Sequence, residues 1–401
     1  VAVEAACSVL FAPIALRIGL ALAQVRTRRE HYAEAEAVLQ ALGADARWQA
    51  DRTATAQIAI VHSGWWQQQG KLEQALAALA PALDPGLTLP RASRIEALAA
   101  LAQIRFVQRE LVKTEQAVQQ ALALVDPASA GAGTTEFGLR NLLGNTYSEM
   151  GRLRDAEAIY RGVAESMARA YGENTRSALL PWVNVATVVK IQARYDEALA
   201  IVRDTLPKAE ALDGANSGLV IALRSVRSSA LYESGQIEAA LAEYATLIAL
   251  EERELGVRHP QTLIDRFNRV EALNKARQYE TALRDGQALR QDMIEAVGVG
   301  HPFTLEADDA IGYALTATGR AAQAEPIHRR TAEQKAAILG ADSTYTLLSR
   351  EYLARALLSL RRNDEARALL GTLLRDRERI LGAEHVSTQA TRALLDTLPP
   401  G

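Results

Sequence analysis

Apolar and small residues recur along this chain with a fixed period of 42 residues. Each copy contains a short turn followed by a segment in which apolar residues recur with the spacing of an α-helix. This segment has an alanine at a constant position. These alanines are Ala156, Ala198, Ala240, Ala282, Ala324 and Ala366. Glycines follow with the same period: Gly172, Gly214, Gly256, Gly298, Gly340 and Gly382. The pattern predicts one helical hairpin per repeat, with glycine at a helix end.

The period loosens toward the start of the chain. Ala35, Ala75 and Thr114 hold the equivalent position, which brings the prediction to about nine hairpins, or 18–20 helices. A terminal helix from His385 to Leu398 would cap the last pair. Small and flexible residues between Pro127 and Thr134 favour a soft boundary. We therefore separate residues 1–130, with irregular repeats, from residues 131–401, with regular repeats, and favour one continuous array.

The residues before several predicted helices indicate structure rather than chemistry. His259, His301 and His385 share one repeat position, and Pro260 and Pro302 suit the first turn of a helix. We interpret the three histidines as parts of helix starts and not as a metal site. Within each hairpin, a small residue faces larger ones and lets the helices approach. The small residues are Gly144, Ala186, Ser228, Gly312 and Ala354.

Composition narrows the class of protein. A single core does not use 401 residues, whereas a repeat array does. The hydrophobic fraction of 49% and the net charge of −3 exclude a disordered chain and disfavour a nucleic-acid binder. We expect no membrane span, because the longest apolar stretch falls short of about 20 residues. The chain begins at Val1, which we interpret as the start of a fragment or of a processed product. We favour a cytoplasmic location, or a periplasmic one if a membrane span precedes the fragment.

Residues 137–163 resemble the tetratricopeptide repeat, since Gly144, Tyr147, Gly151, Ala156 and Tyr160 match its alternation of small and large positions. The segment Leu255–Leu263, with the sequence LGVRHPQTL, resembles the linker of the 42-residue kinesin-light-chain type. The resemblance implies an all-α, right-handed α-solenoid. It also implies a concave groove, lined by the first helix of each hairpin, that binds a peptide or a protein.

The register implied by the resemblance gives the candidate groove residues. Two of them, Asn184 and Asn268, match inner-face asparagines that bond a peptide backbone in the family. The complete set is Asn141, Asn145, Glu149, Asn184, Thr187, Lys190, Ser229, Tyr232, Phe267, Asn268, Glu271, Asn274, Lys275, Asp309, Tyr313, Glu351 and Arg355.

The sequence carries no pattern typical of catalysis. The segment Gly64–Lys71 resembles a phosphate-binding loop, but its glycine spacing is one residue too long and Leu72 replaces the required Ser or Thr. Acidic pairs such as Asp308–Asp309 and Glu251–Glu252 are interpreted as solvated helix faces. We therefore predict no enzyme, no cofactor and no metal.

These observations predict a non-enzymatic, peptide- or protein-binding array that serves as the sensory or regulatory arm of a larger bacterial signalling or transcription-regulating protein. Two alternatives stay open. One is a self-associating scaffold that forms a homodimer, and the other is the non-catalytic part of a multidomain enzyme such as a protein kinase.

Overall fold

The computed structural model describes the backbone of residues 2–126 and 132–399, and the side chains of residues 14–126 and 133–399. Within these residues the chain forms twenty α-helices and no strand. It divides into two compact units, Val1–Gln192 and Ala193–Gly401, called unit 1 and unit 2. The boundary predicted near residue 130 stays a prediction, because most of the linker lies outside the described residues.

Unit 1 consists of four successive hairpins, a short helix and one further helix. These are α1 (Ala2–Arg28), α2 (Tyr32–Ala44), α3 (Ala46–Gln49), α4 (Arg52–Gln68), α5 (Leu72–Leu83), α6 (Arg91–Val107), α7 (Leu111–Ala123), α8 (Ala132–Glu149), α9 (Leu153–Tyr171) and α10 (Arg176–Ile191). The strongest contacts join neighbours in sequence, such as α4 with α5 and α9 with α10. This is the nearest-neighbour packing of a repeat array.

Unit 2 begins with one helix, continues with four hairpins and ends with a single helix. These are α11 (Tyr195–Asp213), α12 (Gly218–Glu233), α13 (Ile237–Glu254), α14 (Pro260–Lys275), α15 (Tyr279–Val297), α16 (Pro302–Ala317), α17 (Ala321–Leu339), α18 (Thr344–Ser359), α19 (Asn363–Leu381) and α20 (Val386–Asp396). The last helix packs on α19, which confirms the predicted terminal helix. The prediction of an all-α helical repeat array is confirmed.

The starts and ends of the helices follow the repeat. The imidazole Nδ1 of His259 accepts a hydrogen bond from the Gln261 amide at 3.2 Å, and His301 does the same for Phe303. Proline follows each of these caps in the first turn, where a helix needs no amide hydrogen. His385 caps α20 in the same way. The interpretation of these histidines as helix starts is confirmed.

The turn inside each hairpin needs one residue in the left-handed backbone region. Gly235 and Gly319 hold this position with φ of 83° and 78°, whereas Arg277 and Arg361 hold it with φ of 60° and 58°. In each case the next amide bonds back to a carbonyl five residues earlier, as from Gln278 to Leu273. Because a side chain in this region is strained and glycine is not, the arginine turns cost more than the glycine turns.

The two helices of a hairpin approach closely where a small residue faces a large one. A Cβ on Gly144 would lie 2.5 Å from the ring of Tyr160, and a Cβ on Gly312 would lie 2.5 Å from the ring of His328. The α14/α15 hairpin reverses the arrangement, because Gly286 on the second helix faces Val270 on the first. In all three hairpins a small residue on one helix faces a larger residue on the other. The small residue lies on the first helix in two of them and on the second helix in α14/α15.

No described helix has both the length and the apolar character needed to cross a bilayer.

Candidate functional site

The first helices of unit 2 form one layer. Helices α12, α14, α16 and α18 contact each other in succession, whereas the second helices pack mainly against first helices. Helices that converge in this way lie on the inner side of a curved stack. We call the layer of α12, α14, α16 and α18 the inner layer, and it contains the groove residues predicted between 229 and 355.

A cleft of about 320 Å³ opens on the inner layer between α16, α18 and α20. Its size suits one or two side chains of a ligand. The rings of Tyr313 and Tyr352 meet edge to face, with their centroids 5.6 Å apart. Two predicted groove residues, Tyr313 and Arg355, therefore share one concave site. The lining consists of Tyr313, Thr316, Ala317, His328, Tyr352, Arg355, Leu358, Ser359 and Leu394.

Asp309 is the hub of a buried polar network below the cleft. Its carboxylate accepts hydrogen bonds from Lys335 Nζ at 2.8 Å and from the Ser349 hydroxyl, and it lies 2.9 Å from His328 Nδ1. Lys335 is fully buried and also contacts Glu306, with 2.7 Å between Nζ and Oε1. Charges are buried in proteins only when paired and hydrogen-bonded, and Lys335 meets this condition.

The prediction that the acidic pairs are solvated helix faces is wrong for three residues. Asp309 and Asp308 are each 2% exposed, and Glu251 is 0% exposed. Asp308 is neutralised by Arg290 and Arg330, which approach it from α15 and α17. For Asp308 and Asp309 the sequence pattern misled because the cations that pair with them lie 18 to 26 residues away in the chain.

Glu271 on α14 is a partly buried carboxylate without a partner. The Glu271 carboxylate has no hydrogen bond or ion pair with any described residue. The side chain is partly exposed to solvent. Burial raises the pKa of Glu271 to about 7, and the charges of Glu306 and Asp309 add to the rise, whereas Lys335 opposes it. Burial also raises the pKa of Glu306. The ammonium group of Lys335 contacts Glu306 and Asp309, so Glu271 is left without a cation in contact at this point of the inner layer.

Glu351 and Arg355, both predicted groove residues, belong to a second ion cluster. Glu351 accepts from Arg355 Nε at 2.8 Å and from Arg377 Nη1 at 2.6 Å. Arg377 is 3% exposed and also donates to Thr391 on α20. Arg355 remains 41% exposed at its side chain and borders the cleft. Glu351 is therefore structural, and Arg355 is the member of the pair that a ligand can reach.

The predicted residues on α12 and α14 divide into accessible and structural ones. Lys275 Nζ lies 4.8 Å from the ring centroid of Tyr232, a cation–π contact, and burial raises the pKa of Tyr232 to about 12. Ser229 bonds to its own helix, and Phe267 packs against the apolar core. Asn274 is 5% exposed and donates to the Ala310 carbonyl at 3.1 Å, so a substitution there would disturb packing.

Asn268 contributes to a buried acidic pair between α13 and α14. Asp265 accepts from Gln261 at 2.7 Å and also bonds to Ser225 and Asn268. Neither carboxylate oxygen of Glu251 accepts a hydrogen bond from an amide, a hydroxyl or a cationic side chain. Burial raises the pKa of Glu251, and the charge of Asp265 raises it further. The pair is best described as a carboxylic acid that shares its proton with a carboxylate.

The candidate residues of unit 1 lie on α8 and α10, and the structure brings two of them together. Asn184 Nδ2 donates to Asn141 Oδ1 at 2.6 Å, and Tyr160 donates to Asn145 Oδ1 at 2.6 Å. Glu149 pairs with Arg109 at 2.7 Å. Thr187 bonds to its own helix at the Val183 carbonyl, and Lys190 is partly exposed on α10. The role of these residues in ligand binding stays a prediction.

Sequence reasoning missed His328, Lys335, Ser349, Tyr352 and Glu306. A signal existed for two of them. His328 holds the repeat position of Tyr160, and Lys335 holds that of Met293. A polar residue at a position that is otherwise apolar indicates a buried partner. The partner itself lies on another helix, so its identity required the structure.

The network contains Ser, His and Asp side chains, but not in a nucleophilic order. Ser349 donates directly to Asp309, which also bonds to His328. Activation of a serine needs contact between its hydroxyl and the imidazole, and no such contact links these two described residues. Among residues 14–126 and 133–399, no three His, Cys, Asp or Glu side chains are placed to hold a metal ion.

The fold resembles that of known repeat proteins. A family model described as tetratricopeptide repeat matches residues 138–176 and 346–387. The prediction that the chain carries tetratricopeptide repeats is confirmed. A search of curated proteins gives no match.

Solved structures resemble the chain at low sequence identity. The apo quorum sensor NprR from B. thuringiensis gives a TM-score of 0.66 at 12% identity and covers 92% of this chain and 99% of its own. NprR in complex with its cognate peptide NprX gives 0.51 at 12% identity, covering 86% and 98%. A Rap protein complexed with Competence and Sporulation Factor gives 0.55 at 13% identity, covering 90% and 99%. At these identities the likeness establishes the fold alone.

Proposed function

We propose that this protein binds a peptide on the inner layer of unit 2 and takes no part in catalysis. The observation that carries the proposal is the cleft between α16, α18 and α20. It lies at predicted groove positions and combines two tyrosine rings with an accessible arginine. Aromatic rings and arginine are enriched where proteins bind one another.

The structural neighbours support the same proposal. NprR is described in complex with a cognate peptide, and a Rap protein is complexed with Competence and Sporulation Factor. Both share the fold of this chain, with TM-scores above 0.5. By analogy we propose that the array is the sensory or regulatory arm of a bacterial signalling protein and that peptide binding is its input.

A cleft-filling substitution tests the proposal. Peptides would first be selected from a random hexapeptide library on the 401-residue chain. Thr316→Trp places an indole in the cleft, and we expect it to weaken binding of the selected peptides by about tenfold or more, since one lost anchor costs over 1 kcal/mol. Fluorescence anisotropy measures the affinity.

The matched control is Thr246→Trp, because Thr246 is exposed on the second helix α13 and the chemical change is the same. It should leave the affinity unchanged. The proposal fails if no peptide is selected, or if both variants bind selected peptides as the unsubstituted chain does.

An apolar stripe on α1 supports the second candidate function, self-association. Ile14, Ile18, Leu22 and Val25 recur at helical spacing and are 40% to 64% exposed. Exposed apolar patches of this kind mark interaction surfaces. If two copies pair through α1, light scattering shows a mass that rises with concentration, and Ile18→Lys abolishes the rise. A constant monomer mass contradicts this candidate.

A further inference from the structure

The polar atoms without partners around Glu271 share one chemical property: all of them accept hydrogen bonds. The Glu271 carboxylate has no partner among the described residues. Asn274 Oδ1, one turn further along α14, is buried and unpartnered. His328 Nε2 is also buried and unpartnered, and His328 lines the cleft. His328 Nδ1 faces the Asp309 carboxylate at 2.9 Å, so in a neutral imidazole the proton sits on Nδ1 and Nε2 is the acceptor.

The excess of negative charge around Glu271 also favours a ligand that donates hydrogen bonds. Glu271, Glu306 and Asp309 face a single buried cation, Lys335. The nearby Lys275 is one turn from Glu271, but its ammonium lies over the ring of Tyr232 and not on the carboxylate. A ligand that supplies donors and a positive charge would meet both needs at once, and a carboxylate or phosphate ligand would meet neither.

Aromatic rings adjoin the acidic group. Tyr352 lies close enough to Glu271 and Asp309 for their charges to act on its phenol, and its ring contacts both Tyr313 and His328. Tyr279 also lies near Tyr313, with 6.4 Å between ring centroids. Cations bind favourably over tyrosine faces, and guanidinium groups also stack on them.

We propose that Glu271, with Glu306 beside it and Tyr313 and Tyr352 adjoining, forms a subsite for a basic side chain, Arg or Lys, of the bound peptide. The neighbouring cleft then takes the side chain next to the basic one. This inference rests on the proposed function, because it assumes that a peptide lies on the inner layer. It adds the chemistry of the ligand, which the fold alone does not determine.

The subsite should respond to pH. Charge interactions link Glu271 to Tyr232 on α12, to Glu306 and Asp309 on α16, to Lys335 on α17 and to Tyr352 on α18. Lys275 lies one turn along α14, His328 and Arg355 line the adjoining cleft, and Glu351 acts on Tyr352. With its pKa near 7, Glu271 is largely ionised at pH 8 and largely neutral at pH 6. A bound cation favours the ionised form, so the preference for a basic residue should be stronger at pH 8.

The test uses the 401-residue chain and hexapeptide pools that are acetylated and amidated, so that no terminal charge contributes. Each pool fixes arginine, its uncharged analogue citrulline, or glutamate at one position. We expect the arginine pool to bind about tenfold tighter than the citrulline pool at one position or more, the effect of one charge-assisted hydrogen bond. In Glu271→Gln the two pools should bind within about twofold of each other, as expected once that bond is lost.

Glu333→Gln is the matched control, because Glu333 is exposed on the second helix α17. It should keep the full preference for arginine. The preference of the unsubstituted chain should fall between pH 8 and pH 6, and that of Glu271→Gln should not change. A purely structural role for Glu271 would not produce this pH response.

The outcomes separate the two proposals. If all pools bind equally and Thr316→Trp abolishes their binding, the basic subsite is wrong and peptide binding stands. If Glu271→Gln weakens the arginine and glutamate pools alike, the residue acts on the fold, and the subsite is again wrong. If no pool binds, both proposals fail.

Discussion

The α14/α15 and α16/α17 hairpins of unit 2 fill the same repeat positions with opposite chemistry. In the first, Phe267 and Met293 belong to one apolar cluster. One repeat later, Asp309 and Lys335 hold these positions as a buried ion pair. Both hairpins have the same helical arrangement. The repeat position therefore determines which two residues contact each other, but not whether the contact is apolar or ionic. The charged version lies beside the proposed binding cleft, where polar chemistry is useful.

Removal of one partner of the ion pair should have the largest effect on stability. Lys335→Met leaves Asp309 and Glu306 without their buried cation, and we expect a loss of about 3 kcal/mol in the free energy of unfolding. The combination Glu306→Ile, Asp309→Phe and Lys335→Met copies Ile264, Phe267 and Met293 from the hairpin before. It should recover part of the loss, because a buried ion pair is replaceable by packed apolar residues, whereas His328 and Ser349 lose Asp309 as their partner.

Urea denaturation followed by circular dichroism measures both effects. A loss below about 1 kcal/mol for Lys335→Met, the range of an exposed ion pair, would contradict the description of this pair as buried and structural.

The second difference between the hairpins is the place of the small residue. Gly312→Ala puts a methyl group against the His328 ring, and we expect it to destabilise the chain by about 2 kcal/mol. Gly286→Ala meets Ile311 at 3.0 Å and should cost less, because one aliphatic side chain yields more readily than a bonded ring. Thermal melting ranks the variants.

Gly371→Ala is the control for these substitutions, because nothing lies within 4 Å of the added Cβ. Helix propensity alone should then stabilise the chain by about 0.5–1 kcal/mol. A loss of stability in Gly371→Ala similar to that in Gly312→Ala would show that the close approach is not the cause.

Glu251 provides a third version of the same position, since it lies two repeats before Lys335 and has an acid as its partner. Its folded-state pKa of about 8 exceeds the unfolded value. The folded state therefore holds an extra proton between about pH 5 and pH 8, and stability falls as pH rises through this range. Glu251→Gln should match the unsubstituted chain at pH 5 and exceed it by about 2 kcal/mol or more at pH 9, since each unit of raised pKa is worth about 1.4 kcal/mol.

Unfolding midpoints measured from pH 5 to pH 9 test this prediction. Some pH dependence should remain in Glu251→Gln, because burial also raises the pKa of Asp265. Equal stability of the two proteins at pH 9 would show that Glu251 is not held as a buried acid.

The smallest effect should come from the hairpin turns. Arg277→Gly relieves a side chain with φ of 60° and should stabilise the chain by about 0.5 kcal/mol, since relief of strain is partly offset by the greater freedom of glycine when unfolded. Gly319→Ala, at the equivalent turn one repeat on, should destabilise it. Melting temperatures that move in the opposite directions would contradict the assignment of strain.

Much of the fold was predictable because it depends on position alone. The 42-residue spacing of Ala156 and its equivalents identifies the hairpins, and His301 before Pro302 marks a helix start. The inner layer was predictable to the extent that Tyr313 and Arg355 meet in one cleft. The polar network was not, because Lys335 reaches Asp309 and Glu306 across 26 and 29 residues of chain. Such pairs depend on which helices contact, a property of tertiary packing.

The central claim is that a peptide binds on the inner layer of unit 2. It is tested most directly by a photoreactive benzoylphenylalanine placed either at Tyr313, in the cleft, or at Glu333, on the exposed side of α17. After irradiation with a selected hexapeptide, mass spectrometry should find the cross-linked peptide only with the group at position 313. Cross-linking at position 333 with none at 313 would contradict the account.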